Sequence, residues 1–188
     1  MKKILIYLFS NLTYTRLLHS IQVANFAEII AYNNNVDTSK AYLAGILHDC
    51  AKCMSNSQLI NFQKTYKFKK FNKCTNLLHS FVGSIIAKDK LEIQDQDVLN
   101  SIKYHTQGRK NMSVCEKIIF VSDYIAHKQN KGEIIKLLTS ATHNLNITFF
   151  NVLMNKIQYI LKKHIYLFPQ IVDTWNWYIE NNKYNKNC

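Results

Sequence analysis

Apolar residues recur at steps of three and four along most of this chain. Leu17, Ile21, Ala24, Ala27 and Ala31 fall on one side of a helix predicted over 13–32, with Thr13 as its N-cap. The run Asn33, Asn34, Asn35 ends that helix. Asp37 then caps a second one, which carries Ala41, Ala44, Ile46 and Leu47 toward His48 and Asp49. The same periodicity predicts helices over 57–66, 76–91, 95–105, 113–127, 133–164 and 170–180. Strand-like alternation is short and rare, and no repeat or low-complexity linker interrupts the chain. The pattern predicts an all-α, single-domain helical bundle over 1–182 with a polar tail at 183–188.

Composition agrees with this picture. A chain of 188 residues, 47% apolar and 12% aromatic, can bury a core without disulfides. One proline and four glycines leave few breakers for a turn-rich β fold. Lys2 and Lys3 followed by apolar residues 4–9 imitate a signal peptide, but this apolar run is short and enters Ser10 and Asn11 without a cleavage-like segment. No later stretch has the length to span a bilayer, so no membrane partner is expected. The five cysteines include a lone Cys50-Ala-Lys-Cys53 pair, which reads as structural; reduced thiols in a cytoplasmic protein fit best.

The formal charge of +12 invites an anionic partner. The lysines are scattered, however, in a chain rich in asparagine, isoleucine and tyrosine throughout. Compositional background therefore explains most of the charge, and nucleic acid is disfavoured. Only Arg16 and Arg109 are arginine.

Histidine and aspartate carry the candidate chemistry. His19, His48, Asp49 and Asp123 offer two imidazole nitrogens and at least two carboxylate oxygens from three helices, with room left for water. Such donors suit iron, manganese or zinc. His79 and His105 sit near the start and end of later helices. Arg16 precedes His19 by three residues, Lys52 follows Asp49 by three, and Arg109 follows His105 by four in a turn marked by Gly108. A guanidinium fork at such a place would grip a phosphate. His127, His143 and His164 fit no such grouping and are expected to be structural or superficial. Trp175, Trp177 and Tyr178 are expected to anchor a terminal helix rather than to stack on a base.

Five sequence blocks occur in an order that resembles one known family. They are Arg16-Leu-Leu-His19, Leu43-Ala-Gly-Ile-Leu-His48-Asp49-Cys-Ala-Lys52, Leu78-His79-Ser, Ile102-Lys-Tyr-His105-Thr106-Gln-Gly-Arg109 and Glu116-Lys-Ile-Ile-Phe-Val-Ser-Asp123-Tyr. Over about 16–125 the chain is similar to the HD-domain phosphohydrolases, and within them to the YqeK-type bacterial enzymes that hydrolyse diadenosine tetraphosphate symmetrically into two ADP. The resemblance implies an HD-domain bundle in which His19, His48, Asp49 and Asp123 bind metal. It implies one or two iron ions, or manganese or another divalent metal. His79 and His105 then complete a second metal position or meet substrate phosphate. Arg16, Lys52, Thr106 and Arg109 are implied to bind substrate, with Asp49 and Lys52 in catalytic roles. The implied ligand is a dinucleoside polyphosphate or a nucleoside diphosphate, and a homodimer is compatible with it.

The chain departs from the family pattern in two places. Ala126, His127, Lys128, Gln129 and Asn130 replace an expected acidic residue, proline and arginine, and Trp175-Asn176 replaces an expected arginine and asparagine. Both segments bear on recognition of the distal nucleotide. The competing readings are a di-iron HD oxygenase, another HD nucleotide phosphohydrolase and a nucleotide-sensing or RNA-associated protein.

Overall fold

The computed structural model describes residues 2–67 and 75–181, and among these there is no strand. The described residues form ten α-helices in the order α1 (Lys2–Asn11), α2 (Tyr14–Asn33), α3 (Thr38–Leu47), α4 (Asn56–Thr65), α5 (Leu78–Asp89), α6 (Gln96–Tyr104), α7 (Val114–Ala126), α8 (Lys131–His143), α9 (Leu145–Lys162) and α10 (Pro169–Asn181). A 3-10 turn over Thr75–Leu77 leads into α5. The expected polar tail at 183–188 lies outside the described residues. No helix of the described residues is long and apolar enough to cross a membrane.

Short polar side chains set most of the boundaries. The Thr13 hydroxyl accepts from the Arg16 amide, and the Asp37 carboxylate accepts from Ser39 and Lys40, as the sequence predicts. Reciprocal capping boxes start α4 through Ser55 and Gln58, and α7 through Ser113 and Glu116. Two elements differ from expectation. The helix predicted over 133–164 is two helices: Asn144 leaves helical geometry at φ −149° and ψ 87°, ends α8, and caps α9 by accepting from the Ile147 amide. Residues 2–11, which resemble the start of a signal peptide, form a helix that buries Ile4 and Leu8 and leaves Leu5, Ile6 and Phe9 exposed.

The long α2 is the axis of the bundle and packs against α3, α7 and α8. Its small face does this work: Ala24, Ala27 and Ala31 are fully buried. At Gly45 of α3 a Cβ would stand 2.7 Å from Ala24 Cα, so only glycine lets the two backbones meet. That close approach sets the C-terminal end of α3, where His48 and Asp49 follow, beside the N-terminal turns of α2, where Arg16 and His19 sit.

At the other end, α10 closes the bundle as expected of its aromatic cluster. Phe150 of α9 stacks on Trp175 and Tyr178 at 5.0 and 5.1 Å, and the Tyr178 hydroxyl donates to Asn146 O at 2.7 Å. The same helix braces the turn after His105, because Thr174 Oγ1 donates to Gln107 O and Gln170 Nε2 donates to Gly108 O. Gly108 takes φ +67° in that turn, and a Cβ there would meet Thr174 Cγ2 at 2.6 Å. Gly45→Ala is expected to lower stability by about 1–3 kcal/mol through overpacking. A shift of the urea unfolding midpoint with an unchanged slope would show it, and an unchanged midpoint would count against this packing account.

Candidate metal centre

Five helices and the segments next to them converge on one polar pocket in an otherwise apolar core. His19 comes from α2, His48 and Asp49 from the end of α3, His79 from the first turn of α5, His105 from the end of α6, and Asp123 from α7. His48, Asp49, His79, His105 and Asp123 are all buried. The expected set is therefore gathered. His19 Nε2 lies 3.3 Å from Asp123 Oδ1 and 4.0 Å from Asp49 Oδ2, and His48 Nε2 lies 3.4 Å from Asp49 Oδ2 and 3.6 Å from Asp123 Oδ1. His79 and His105 approach the other Asp49 oxygen, Oδ1, at 3.2 and 3.6 Å.

The imidazoles are oriented by their own helix ends. His48 Nδ1 lies 2.7 Å from Gly45 O, His79 Nδ1 lies 2.7 Å from Asn76 O, and His105 Nδ1 lies 2.8 Å from Ile102 O. A backbone carbonyl can only accept, so each Nδ1 carries the hydrogen, and in the neutral ring each Nε2 turns a bare lone pair inward. The Nε2 atoms of His79 and His105 then face each other at 3.3 Å as two acceptors. His19 Nε2, His48 Nε2 and Asp49 Oδ1 are buried without a hydrogen bond. Inward lone pairs and two carboxylates converge here, with Arg16 and Lys156 reaching the carboxylates from the rim, and this is a donor set that a divalent cation would satisfy. The donors fall into a group of His19, His48 and Asp49 and a group of Asp49, His79 and His105, which share Asp49.

Without a metal the carboxylates favour a proton on His48. Burial opposes a charge on His48, yet Asp49 and Asp123 lift its pKa to about 10. Burial, reinforced by the neighbouring His48, brings His105 down to about 4 against the opposite pull of Asp49. Asp123 is held well below the usual carboxylate range: burial would raise it, but His127, His19, His48 and Lys156 outweigh that.

Cations line the rim. Arg16 Nη1 donates to Asp49 Oδ2 at 2.8 Å. Helix α3 stops at Leu47, but turns from Cys50 N to Leu47 O and from Lys52 N to Asp49 O carry the chain on, so Lys52 Nζ arrives 3.4 Å from the His79 ring nitrogens. Lys156 of α9, with no local signal in the sequence, places Nζ 3.7 Å from Asp123 Oδ2 and 4.0 Å from the centroid of the Phe120 ring. Beside it opens a cleft of about 680 Å³ whose lining includes Thr106, Gln107, Asp123, His127, Lys128 and Lys156. Thr106 Oγ1 and Gln107 Oε1 are buried there without a hydrogen bond.

Arg109 is not brought to the centre. Its Nε and Nη2 donate to Glu116 Oε1 at 3.0 and 2.8 Å, and its guanidinium lies over Tyr104. His127, expected to be structural or superficial, stands at the mouth of the site with Nε2 3.3 Å from Asp123 Oδ1. Its position four residues after Asp123 on α7 was the signal that could have found it. His143 and His164 lie elsewhere, His143 donating from Nδ1 to Thr139 O and His164 following α9 with φ 54°.

An all-α bundle whose helix ends turn four imidazoles and two carboxylates onto one point, rimmed by cations, is a metal-binding domain of the histidine-aspartate type. The chain belongs to the HD domain family, whose model matches residues 16–127. It is 34% identical over 168 residues to the symmetrical bis(5'-nucleosyl)-tetraphosphatase of Halalkalibacterium halodurans, covering 88% of this chain and 90% of that one. The enzyme of the same name from Bacillus subtilis is 30% identical, over 91% of this chain and 93% of its own. In three dimensions the chain is similar to a crystal structure from Clostridium acetobutylicum, described as a predicted HD superfamily hydrolase involved in NAD metabolism. The TM-score is 0.89 at 35% identity, covering 96% of this chain and 97% of that one.

A metal bound through His48 would displace the proton that this ring holds below pH about 10, so metal affinity is expected to rise about tenfold per pH unit between pH 6 and 8. Calorimetry of Mn²⁺ binding in buffers of different ionisation heat should report close to one proton released. A pH-independent affinity would contradict the arrangement.

Proposed function

We propose that this chain is a metal-dependent hydrolase that cuts diadenosine tetraphosphate symmetrically into two ADP. The observation that carries this reading is the paired, lone-pair-lined centre opening on a cleft rimmed with cations. The relatives named above, matched over nearly their whole length, support the choice of substrate. We take the metal to be iron, one ion among His19, His48, Asp49 and Asp123, with His79 and His105 offering a second position through Asp49. A cation there supplies Lewis-acid chemistry, activating water and neutralising charge on a phosphoryl oxygen.

The remaining roles belong to the side chains. Asp49 both ligates and orients: Oδ2 faces His48 and Arg16, while Oδ1 faces His79 and His105. Arg16, Lys52 and Lys156 hold positive charge around the pocket, where a tetraphosphate would concentrate its negative charge. Thr106 Oγ1 and Gln107 Oε1 offer unused polar atoms to the nucleotide in the cleft. In the reaction the water oxygen bonds to the second phosphorus, the bond from that phosphorus to the central bridging oxygen breaks, and the bridging oxygen leaves with the second ADP. Arg109 gives Nε and Nη2 to Glu116 and lies away from the centre, so it is left out of this scheme. The buried free thiols of Cys50 and Cys115 suit a reducing compartment, and we place the protein in the cytoplasm.

A paired-iron oxygenase would call on the same donors, but Lys156 beside Asp123, with Arg16 and Lys52 at the rim, favours an anionic substrate over a neutral organic one. Incubation of the metal-loaded protein with diadenosine tetraphosphate should yield ADP alone, two per substrate. AMP with ATP, or no turnover, would overturn the proposal. Asp49→Asn should lower kcat/KM at least a hundredfold. Lys156→Met should cost on the order of ten- to a hundredfold, the worth of a charge-assisted contact.

A further inference from the structure

A third group of donors lies on the solvent side of the centre. His19, Asp123 and His127 present ligand atoms within 4.8 Å of one another, and this group shares His19 with the middle group as Asp49 joins the middle group to the inner one. We propose that His127 is a metal ligand of this centre, binding through Nε2 the same divalent cation that His19 and Asp123 hold.

The geometry converges on one oxygen. His127 Nε2 and His19 Nε2 each stand 3.3 Å from Asp123 Oδ1, and His48 Nε2 stands 3.6 Å from it. The rings of His19 and His127 lie 4.6 Å apart with a 34° tilt, so both bring an edge to the same carboxylate. Asp123 and His127 are four residues apart on α7, the spacing at which two side chains of a helix share one ion. His127 is also the C-cap of α7, where unpaired carbonyls leave a partial negative charge that favours a cation.

Exposure distinguishes this ligand from the others. The His127 side chain is 57% exposed, whereas that of His48 is wholly buried. His127 also lines the substrate cleft. His127 thus approaches Asp123 from the cleft side of the centre. Two nitrogens and a carboxylate oxygen make a borderline set suited to Fe²⁺, Mn²⁺, Co²⁺ or Zn²⁺. The simpler alternative is an ion pair in which His127 only caps the helix and braces Asp123.

The inference rests on the cluster being a metal centre and not on the identity of the substrate. Metal-stripped full-length protein is titrated with Mn²⁺ by calorimetry and with Co²⁺ by visible absorption, comparing the unaltered chain, His127→Ala and, as an exposed-histidine control, His143→Ala. His127→Ala is expected to weaken one equivalent of metal about tenfold or more and to shift the Co²⁺ bands, while His143→Ala changes neither. An isotherm and spectrum of His127→Ala identical to those of the unaltered chain would overturn it. Should His127→Ala fail to fold, His127→Asn is read by the same two measurements. Altered metal binding without cleavage of diadenosine tetraphosphate would keep this inference and remove the substrate; cleavage with an unchanged isotherm would do the reverse.

Discussion

Three hydrogen bonds that point away from the centre decide what the centre can be. At His48, His79 and His105 the Nδ1–H is tied to the carbonyl three residues earlier, at the end of α3, before α5 and at the end of α6. The last carbonyls of a helix lack intrahelical partners, so Gly45 O and Ile102 O are acceptors to spare, while Asn76 O lies in the 3-10 turn that leads into α5. Using them for imidazole leaves only lone pairs to face inward, and a buried space walled by lone pairs and carboxylates is stable only around positive charge.

The rest of the fold serves that constraint. Gly45 lets α3 lie against α2 closely enough for His48 and Asp49 to reach His19. Helix α10, through Thr174 and Gln170, fixes the turn that follows His105. The capping box of Ser113 and Glu116 begins α7 and so sets the rotation at which Asp123 points inward. The same Glu116 carboxylate, raised by burial despite Arg109, binds that arginine and holds the 105–109 turn from the other side. Around this frame Arg16 and Lys156 approach the carboxylates and Lys52 approaches His79, so positive charge stands at the edge of the pocket.

Much of this was legible in the sequence, for physical reasons that differ by residue. Caps such as Thr13 and Asp37 are local chemistry and can be read directly. His19, His48, Asp49, His79, His105 and Asp123 were recognisable because their order and flanking residues resemble a family, and the structure brings all six together. Asn144 divided a helix that periodicity alone ran through, since a single asparagine can end one helix and cap the next without interrupting the apolar repeat. Arg109 was picked out by its distance to His105 and its block, and nothing local announced that its Nε and Nη2 would be held by the buried Glu116. Lys156 is far from every motif and reaches Asp123 only because α9 packs on α7. His127 stood outside every motif, yet its spacing from Asp123 already placed it on the same helical face.

A pocket walled by inward lone pairs is expected to hold metal. Anomalous diffraction from crystals loaded with Mn²⁺, measured on both sides of its absorption edge, tests it directly. An anomalous peak is expected, enclosed by His19, His48, Asp49 and Asp123 and within bonding distance of their Nε2 and carboxylate atoms. Ordered water at that point with no anomalous signal, in crystals that carry Mn²⁺ elsewhere, would contradict it.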